Sequence, residues 1–208
     1  MLNSILIVLL IISGNIFSAY FWVWLYKELF HTKITLKVLI TQGFISALSA
    51  LGILRFTGIQ TLISKVIVEE STKTLTSEIS NKHVLASDHI VTWVLAGIGF
   101  AVIENIIYIY YLIDQNLLQV SIMRILTNSI LHALFTGCIG FWIYQFIKNK
   151  NILKKYSNGL IFISMGLISH ILYNHFLQSS VAISLLFVIV WYFFLSYFLY
   201  KSDRLFLD

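Results

Sequence analysis

Apolar runs, most of them long enough to cross a bilayer, follow one another along the whole chain and are separated by short polar breaks. Read by their flanks, they predict seven helices, over 4–26, 34–54, 57–76, 89–113, 121–147, 158–177 and 181–200. A hydrocarbon core of about 30 Å takes roughly 20 residues of helix, and a helix satisfies its own backbone N–H and C=O groups where water cannot. The third segment departs from the pattern. Its apolar stretch, Ile59 to Val68, is short, is interrupted by Lys65 and gives way to Glu69, Glu70 and Lys73, so it predicts either a partial span or a helix buried among the others. Thr76 to Asp88 is the sizeable polar connection, and Gln178–Ser180 predicts a tight turn. The expected fold class is all-α: a polytopic transmembrane helical bundle of about seven helices, a single integral membrane domain over 1–208.

Composition sharpens that expectation. Of 208 residues, 59% are hydrophobic and 11% charged, there is no proline, and mean hydropathy is +0.88. A soluble domain carries about a quarter of its residues charged, so neither an ordinary soluble fold nor a disordered chain fits. The net charge of +5 would suggest nucleic acid in a soluble protein. Here, however, the cations fall between apolar runs, as they do in cytoplasmic loops, and no nucleic-acid partner is expected. With seven crossings, Lys27, Lys33, Lys37, Lys73, Lys82, Lys148, Lys150, Lys154, Lys155, Lys201 and Arg204 share one side. That bias places the C-terminus in the cytoplasm and the N-terminus outside. The first run is too long for a signal-peptide core and is followed by Lys27 rather than a cleavage site, so it is expected to remain as a span. Cys138 is the single cysteine and forms no intramolecular disulfide.

An ionisable group in mid-membrane costs roughly 3 kcal/mol on insertion scales, so each one inside a predicted helix needs a partner or a task. In Glu69-Glu70-Ser71-Thr72-Lys73 the ammonium can reach either carboxylate at helical spacing, and one negative charge is left over. That excess suits general-base work on water, with a solvated helix end as the plain alternative. Glu104 stands inside a long apolar run with no cation within four residues, so it is protonated, paired across helices or metal-bound. Phe100, Glu104 and Tyr108 share one helical face, while Gly97 and Gly99 allow another helix to approach closely. In the fifth helix Arg124, Asn128, His132, Thr136 and Gly140 recur at every fourth position, a slowly spiralling polar and small stripe. In the sixth, His170 and Asn174 project from one face. An imidazole can position water, act as base or ligate Zn²⁺, and a carboxamide can donate N–H to a developing oxyanion. His175 points about 100° away and reads as a packing residue. His31, His83 and His89 lie in or beside loops and are assigned no chemistry.

Together these are the parts for hydrolysis within a bilayer. The chain has no Gly-x-Ser-x-Gly elbow and no His-Glu-x-x-His zinc motif, and Asp88 and Asp114 fall at helix ends, so no aspartate pair stands in mid-span.

Glu69-Glu70-x-x-Lys73, Gly99-Phe100-x-x-x-Glu104-Asn105-x-x-Tyr108, Arg124 ahead of His132-x-x-x-Thr136-Gly137-x-x-Gly140, and His170-x-x-x-Asn174 follow in this order over about residues 60–180. In that order and at those separations they resemble the PrsW family of intramembrane proteases, itself similar to the CAAX prenyl-protease and bacteriocin-immunity group. The resemblance implies Glu69 and Glu70 as catalytic carboxylates. It puts Glu104 where the prenyl-protease group has a histidine, and adds His132, His170 and Asn174 to the catalytic set. Lys73, Asn105, Tyr108, Arg124 and Thr136 would support them. Ser71 departs from the aromatic or aliphatic residue common after the glutamates.

The activity implied is an endopeptidase of a bacterial plasma membrane that cuts a single-span membrane protein, such as an anti-sigma factor. The cofactor stays open between none and Zn²⁺. Glu104, His132 and His170 are the candidate ligands. Lys73 and Arg124 already bring positive charge, and Asn174 suits an oxyanion donor better than a ligand, which favours a metal-free glutamate mechanism. Two other classes remain: a non-catalytic scaffold or chaperone for another membrane protein, and a small ion or proton transporter.

Overall fold

The structure, a computed structural model, describes residues 2–30, 36–58, 60–80, 86–111, 117–148 and 151–204. Lys33, Lys82, Lys150, His31, His83 and Asp114 lie outside the described residues. The described residues form seven helices and no strand: α1 (Leu2–Phe30), α2 (Leu36–Thr57), α3 (Leu62–Ser80), α4 (Ala86–Tyr111), α5 (Leu117–Lys148), α6 (Ile152–Ser179) and α7 (Val181–Arg204). Within them Val8–Leu25, Ile90–Tyr108, Ile122–Ile147 and Gly159–Phe176 are long and apolar enough to cross a membrane, and α7 adds the shorter apolar stretch Ala182–Phe193.

α4 and α5 are the inner pair. Every residue from Ile90 to Ala101 and from Thr127 to Phe141 is buried, and α1, α2, α3, α6 and α7 pack around them. Small residues set the closest crossings. A Cβ on Gly97 would run into the backbone carbonyl of His132, and one on Gly43 would run into the backbone of Gly99. Between helices in lipid, where burial of apolar surface gives no net drive, such backbone proximity supplies the van der Waals contact that holds them. The outer faces are apolar instead: Leu10, Phe17, Tyr20 and Trp24 on α1 and Leu186, Val190 and Phe193 on α7 are exposed.

α3 begins later than the hydropathy pattern predicts. Gly58, in the left-handed region at φ 64°, ends α2. Thr61 then caps α3: its Oγ1 accepts from the Ser64 N–H at 3.3 Å, and its C=O accepts from the Lys65 N–H at 3.0 Å. Because the helix runs on to Ser80, Glu69, Glu70 and Lys73 sit in its middle rather than at its end. Its buried face carries Val66, Glu70, Lys73 and Ser77, while Ile63, Ile67 and Leu75 are exposed. That is soluble amphipathicity turned inside out, the arrangement a lipid solvent favours. Its threonines satisfy themselves: Thr72 donates to the Glu69 carbonyl at 2.9 Å and Thr74 to the Glu70 carbonyl at 2.7 Å.

Candidate active site

α3, α4, α5 and α6 bring their polar residues to one buried locus. Lys73, fully buried, donates from Nζ to Glu70 Oε1 at 2.7 Å and lies 2.6 Å from His132 Nδ1. Its ammonium also sits 4.2 Å over the Phe100 ring. Glu70 further receives His170 Nδ1 on Oε1 at 2.8 Å and the Thr136 hydroxyl on Oε2 at 3.4 Å. The two imidazoles meet edge to face with centroids 4.7 Å apart, and Phe135 stacks on His170. A buried carboxylate is tolerable only when paired and hydrogen-bonded on this scale.

Glu104 has its own nest. His132 Nε2 lies 2.9 Å from its Oε2, Asn128 Nδ2 donates to the same oxygen at 2.8 Å, and Arg124 Nη2 pairs with it at 2.9 Å but off the hydrogen-bonding direction. Asn105 Oδ1 holds that arrangement by accepting from Arg124 Nε at 3.0 Å and Asn128 Nδ2 at 2.8 Å. Its amide donates to Asn15 of α1. The Arg124 guanidinium stacks 3.7 Å from the Tyr108 ring centroid. His132 thus joins the two acids, with one nitrogen toward Lys73 and Glu70 and the other toward Glu104.

Among the buried polar atoms without a hydrogen-bond partner, two face each other. With Nδ1 directed at the Glu70 carboxylate, His170 presents Nε2 as a bare lone pair, 3.5 Å from Glu69 Oε2, and neither atom has a hydrogen-bond partner although both are buried. Two acceptors face to face call for a proton donor or a cation between them. Glu69 and Glu104 also line a cavity of about 840 Å³ among α2, α3 and α4. A second cavity, about 390 Å³ between α3, α5 and α6, reaches Glu70 beside Ser71, Thr74 and Trp142.

The residues fit a metal in kind and spacing. Glu70, His132 and His170 each offer a donor atom, all within 4.8 Å of one another, and one carboxylate with two imidazoles is a set that catalytic zinc sites use. Lys73 shares two of those donors, so an ion there would compete with its ammonium.

Comparison with known proteins gives the family. The profile described as PrsW family intramembrane metalloprotease matches residues 16–200. The chain belongs to the PrsW family. A curated relative, Protease PrsW of Clostridioides difficile (strain 630), is 35% identical over 96 residues, which is 43% of this chain and 40% of the relative. The match therefore covers well under two thirds of that relative's length. No solved structure matches. Membership of the PrsW family and the apolar helices together make this an integral membrane protein.

Of the residues singled out in sequence, Glu69, Glu70, Lys73, Glu104, Asn105, Tyr108, Arg124, His132, Thr136 and His170 come together through the contacts above. Asn174 stands apart: it is half-buried and makes no hydrogen bond to the cluster among the described residues. Glu104 also falls outside the compact donor set and touches His132 on the nitrogen facing away from Lys73. Sequence reading passed over Asn15, whose signal was a carboxamide alone in the apolar run of α1. It also passed over Tyr173, fully buried, whose hydroxyl lies 2.7 Å from that of Thr127 behind the site. Nothing in local spacing marks Tyr173.

Proposed function

We propose that this PrsW-family chain is an intramembrane endopeptidase that hydrolyses a peptide bond in a single-span membrane protein. The observation that carries this reading is the pair of unpartnered, buried acceptors, Glu69 Oε2 and His170 Nε2, 3.5 Å apart beside the cavity that Glu69 lines. A water about 2.8 Å from each closes a triangle with that edge and satisfies both. Glu70 fixes the tautomer of His170, and Lys73 neutralises Glu70. Glu69 then takes a proton from the water as its oxygen attacks the substrate carbonyl. Asn174 is one turn along α6 from His170 but makes no hydrogen bond to the cluster among the described residues, so it would have to turn toward the cluster to donate its amide N–H to the developing oxyanion. As the C–N bond breaks, Glu69 returns the proton to the leaving nitrogen, so a new carboxylic acid and a new amine result, and the acid's proton passes to the amine or to solvent.

If a divalent cation is held, Glu70, His132 and His170 would hold it, and it supplies Lewis acidity to water and carbonyl. The distribution of Lys and Arg supports an orientation with the C-terminus in the cytoplasm, the likeness to a Clostridioides difficile protease supports a bacterial plasma membrane, and an anti-sigma-factor-like protein is the substrate type we favour. The deciding experiment uses purified full chain in liposomes with a panel of single-span substrates, alongside its Glu69→Gln variant and elemental analysis for bound metal. Cleavage by the parent and none by the variant supports the reading. Equal cleavage by both, or none by either across the panel, removes it.

A further inference from the structure

The cavity among α2, α3 and α4 has two unlike ends. At one, Ala47 and Phe100 are buried against each other. At the other, where α2 ends and α3 begins, Arg55 and Lys65 line it and are exposed. Among the described residues neither cation has a side-chain hydrogen bond or an ion pair, and Lys65 does not pair with Glu69 although they stand one turn apart on α3. Most of the wall between is apolar, with the Glu69 and Glu104 carboxylates further in. Its volume, about 840 Å³, is within the range of about 300–1,000 Å³ that encloses a ligand.

Cations at helix ends in a membrane protein often only reach for the interface. These two instead border a cavity that leads to unpaired acid. Acids in an apolar-walled space require N–H donors from whatever enters. An acyl chain has none, whereas a polypeptide backbone has one per residue.

Resting on the endopeptidase reading above, we propose that this cavity receives the substrate polypeptide, and that Arg55 and Lys65 select one carrying Asp or Glu just outside its apolar segment. Lys65 and Glu69 are four residues apart, about 6 Å along the helix axis. Extended chain covers that in about two residues, so with the reach of the lysine side chain the acid lies roughly two to four residues from the cut bond.

The test uses two synthetic single-span peptides, each with about 20 apolar residues, flanked at both ends by Asp-Asp or by Lys-Lys. The full chain carries Glu69→Gln and a photo-crosslinking residue at Leu54, in phosphatidylcholine vesicles with and without phosphatidylglycerol. The Asp-flanked peptide is expected to be captured about threefold or more over the Lys-flanked one. Adding Arg55→Glu with Lys65→Glu reverses the ratio, and Arg55→Gln with Lys65→Gln removes it. The ratio is internal to each preparation, so a lower yield of inserted variant leaves it readable, and the Gln pair decides if the Glu pair does not insert. Equal capture of both peptides overturns the proposal. So does a preference that ignores the charge changes, or crosslinking that passes to phosphatidylglycerol as the peptide preference vanishes. Cleavage by the chain with Glu69 intact is read separately: charge-dependent capture without cleavage ends the peptidase reading and leaves the selection of acidic peptides standing.

Discussion

Glu104 and Glu69 are both carboxylates inside the bundle, yet one has an oxygen with three partners and the other has no hydrogen bond to its side chain among the described residues. Glu104 has His132, Asn128 and Arg124 on one oxygen, and Asn105 and Asn15 fix those partners in turn. Glu69 has only the unaligned approach of His170. A saturated buried group stays where it is and gives up stability when altered; an unsaturated one has lone pairs to spend on a reactant. On the proposed reading, the contrast separates the part of the cluster that builds the site from the part that reacts.

The sharpest way to break that division is at Glu69. Glu69→Gln removes the proposed base while disturbing no hydrogen bond of its side chain, so cleavage should fall about 10²–10⁴-fold with the melting temperature nearly unchanged. A large loss of stability with modest loss of rate would place Glu69 with the structural acids. Glu70→Gln is expected to do the reverse first. It leaves the Lys73 ammonium buried without its counter-charge, at about 3–5 kcal/mol. Thermal unfolding in detergent should show that loss, and adding Lys73→Met should recover most of it without recovering cleavage. Failure of the double variant to regain stability would mean that the pair is not what matters at Glu70.

Smaller effects test the nest around Glu104. Asn105→Ala strips partners from Arg124, Asn128 and Asn15 together and should cost about 1–3 kcal/mol in the same assay, with α1 loosened as seen by faster amide exchange near Asn15. Tyr108→Leu, which removes the ring and hydroxyl beside Arg124, should cost about 1 kcal/mol and reduce cleavage less than any of the above. If Tyr108→Leu proved as damaging as Asn105→Ala, the hydrogen-bond framework would not be the main support of Glu104.

Much of this architecture was readable from the chain because a bilayer makes each rule local. A run of apolar residues long enough to cross must be helical, and a Glu or His inside such a run is costly enough to stand out against its neighbours. The seven helices and the spacings that led to Glu69, Glu70, Glu104, His132 and His170 were visible for that reason. The start of α3 was not, since the predicted segment, 57–76, runs through Gly58 and only the left-handed turn and the Thr61 cap mark where the helix begins. Asn15 and Tyr173 were also hidden, because their value comes from residues 90 and 46 positions away.

The identity of the chemical groups and the helices that bear them were therefore set by sequence, one segment at a time. Packing settled which acid is enclosed, which is left open beside His170, and that Lys73 rather than solvent sits between Glu70 and His132. The rotation of each helix about its axis is fixed by contacts with distant helices, here by close crossings such as Gly97 on the His132 carbonyl, and no local pattern carries that information.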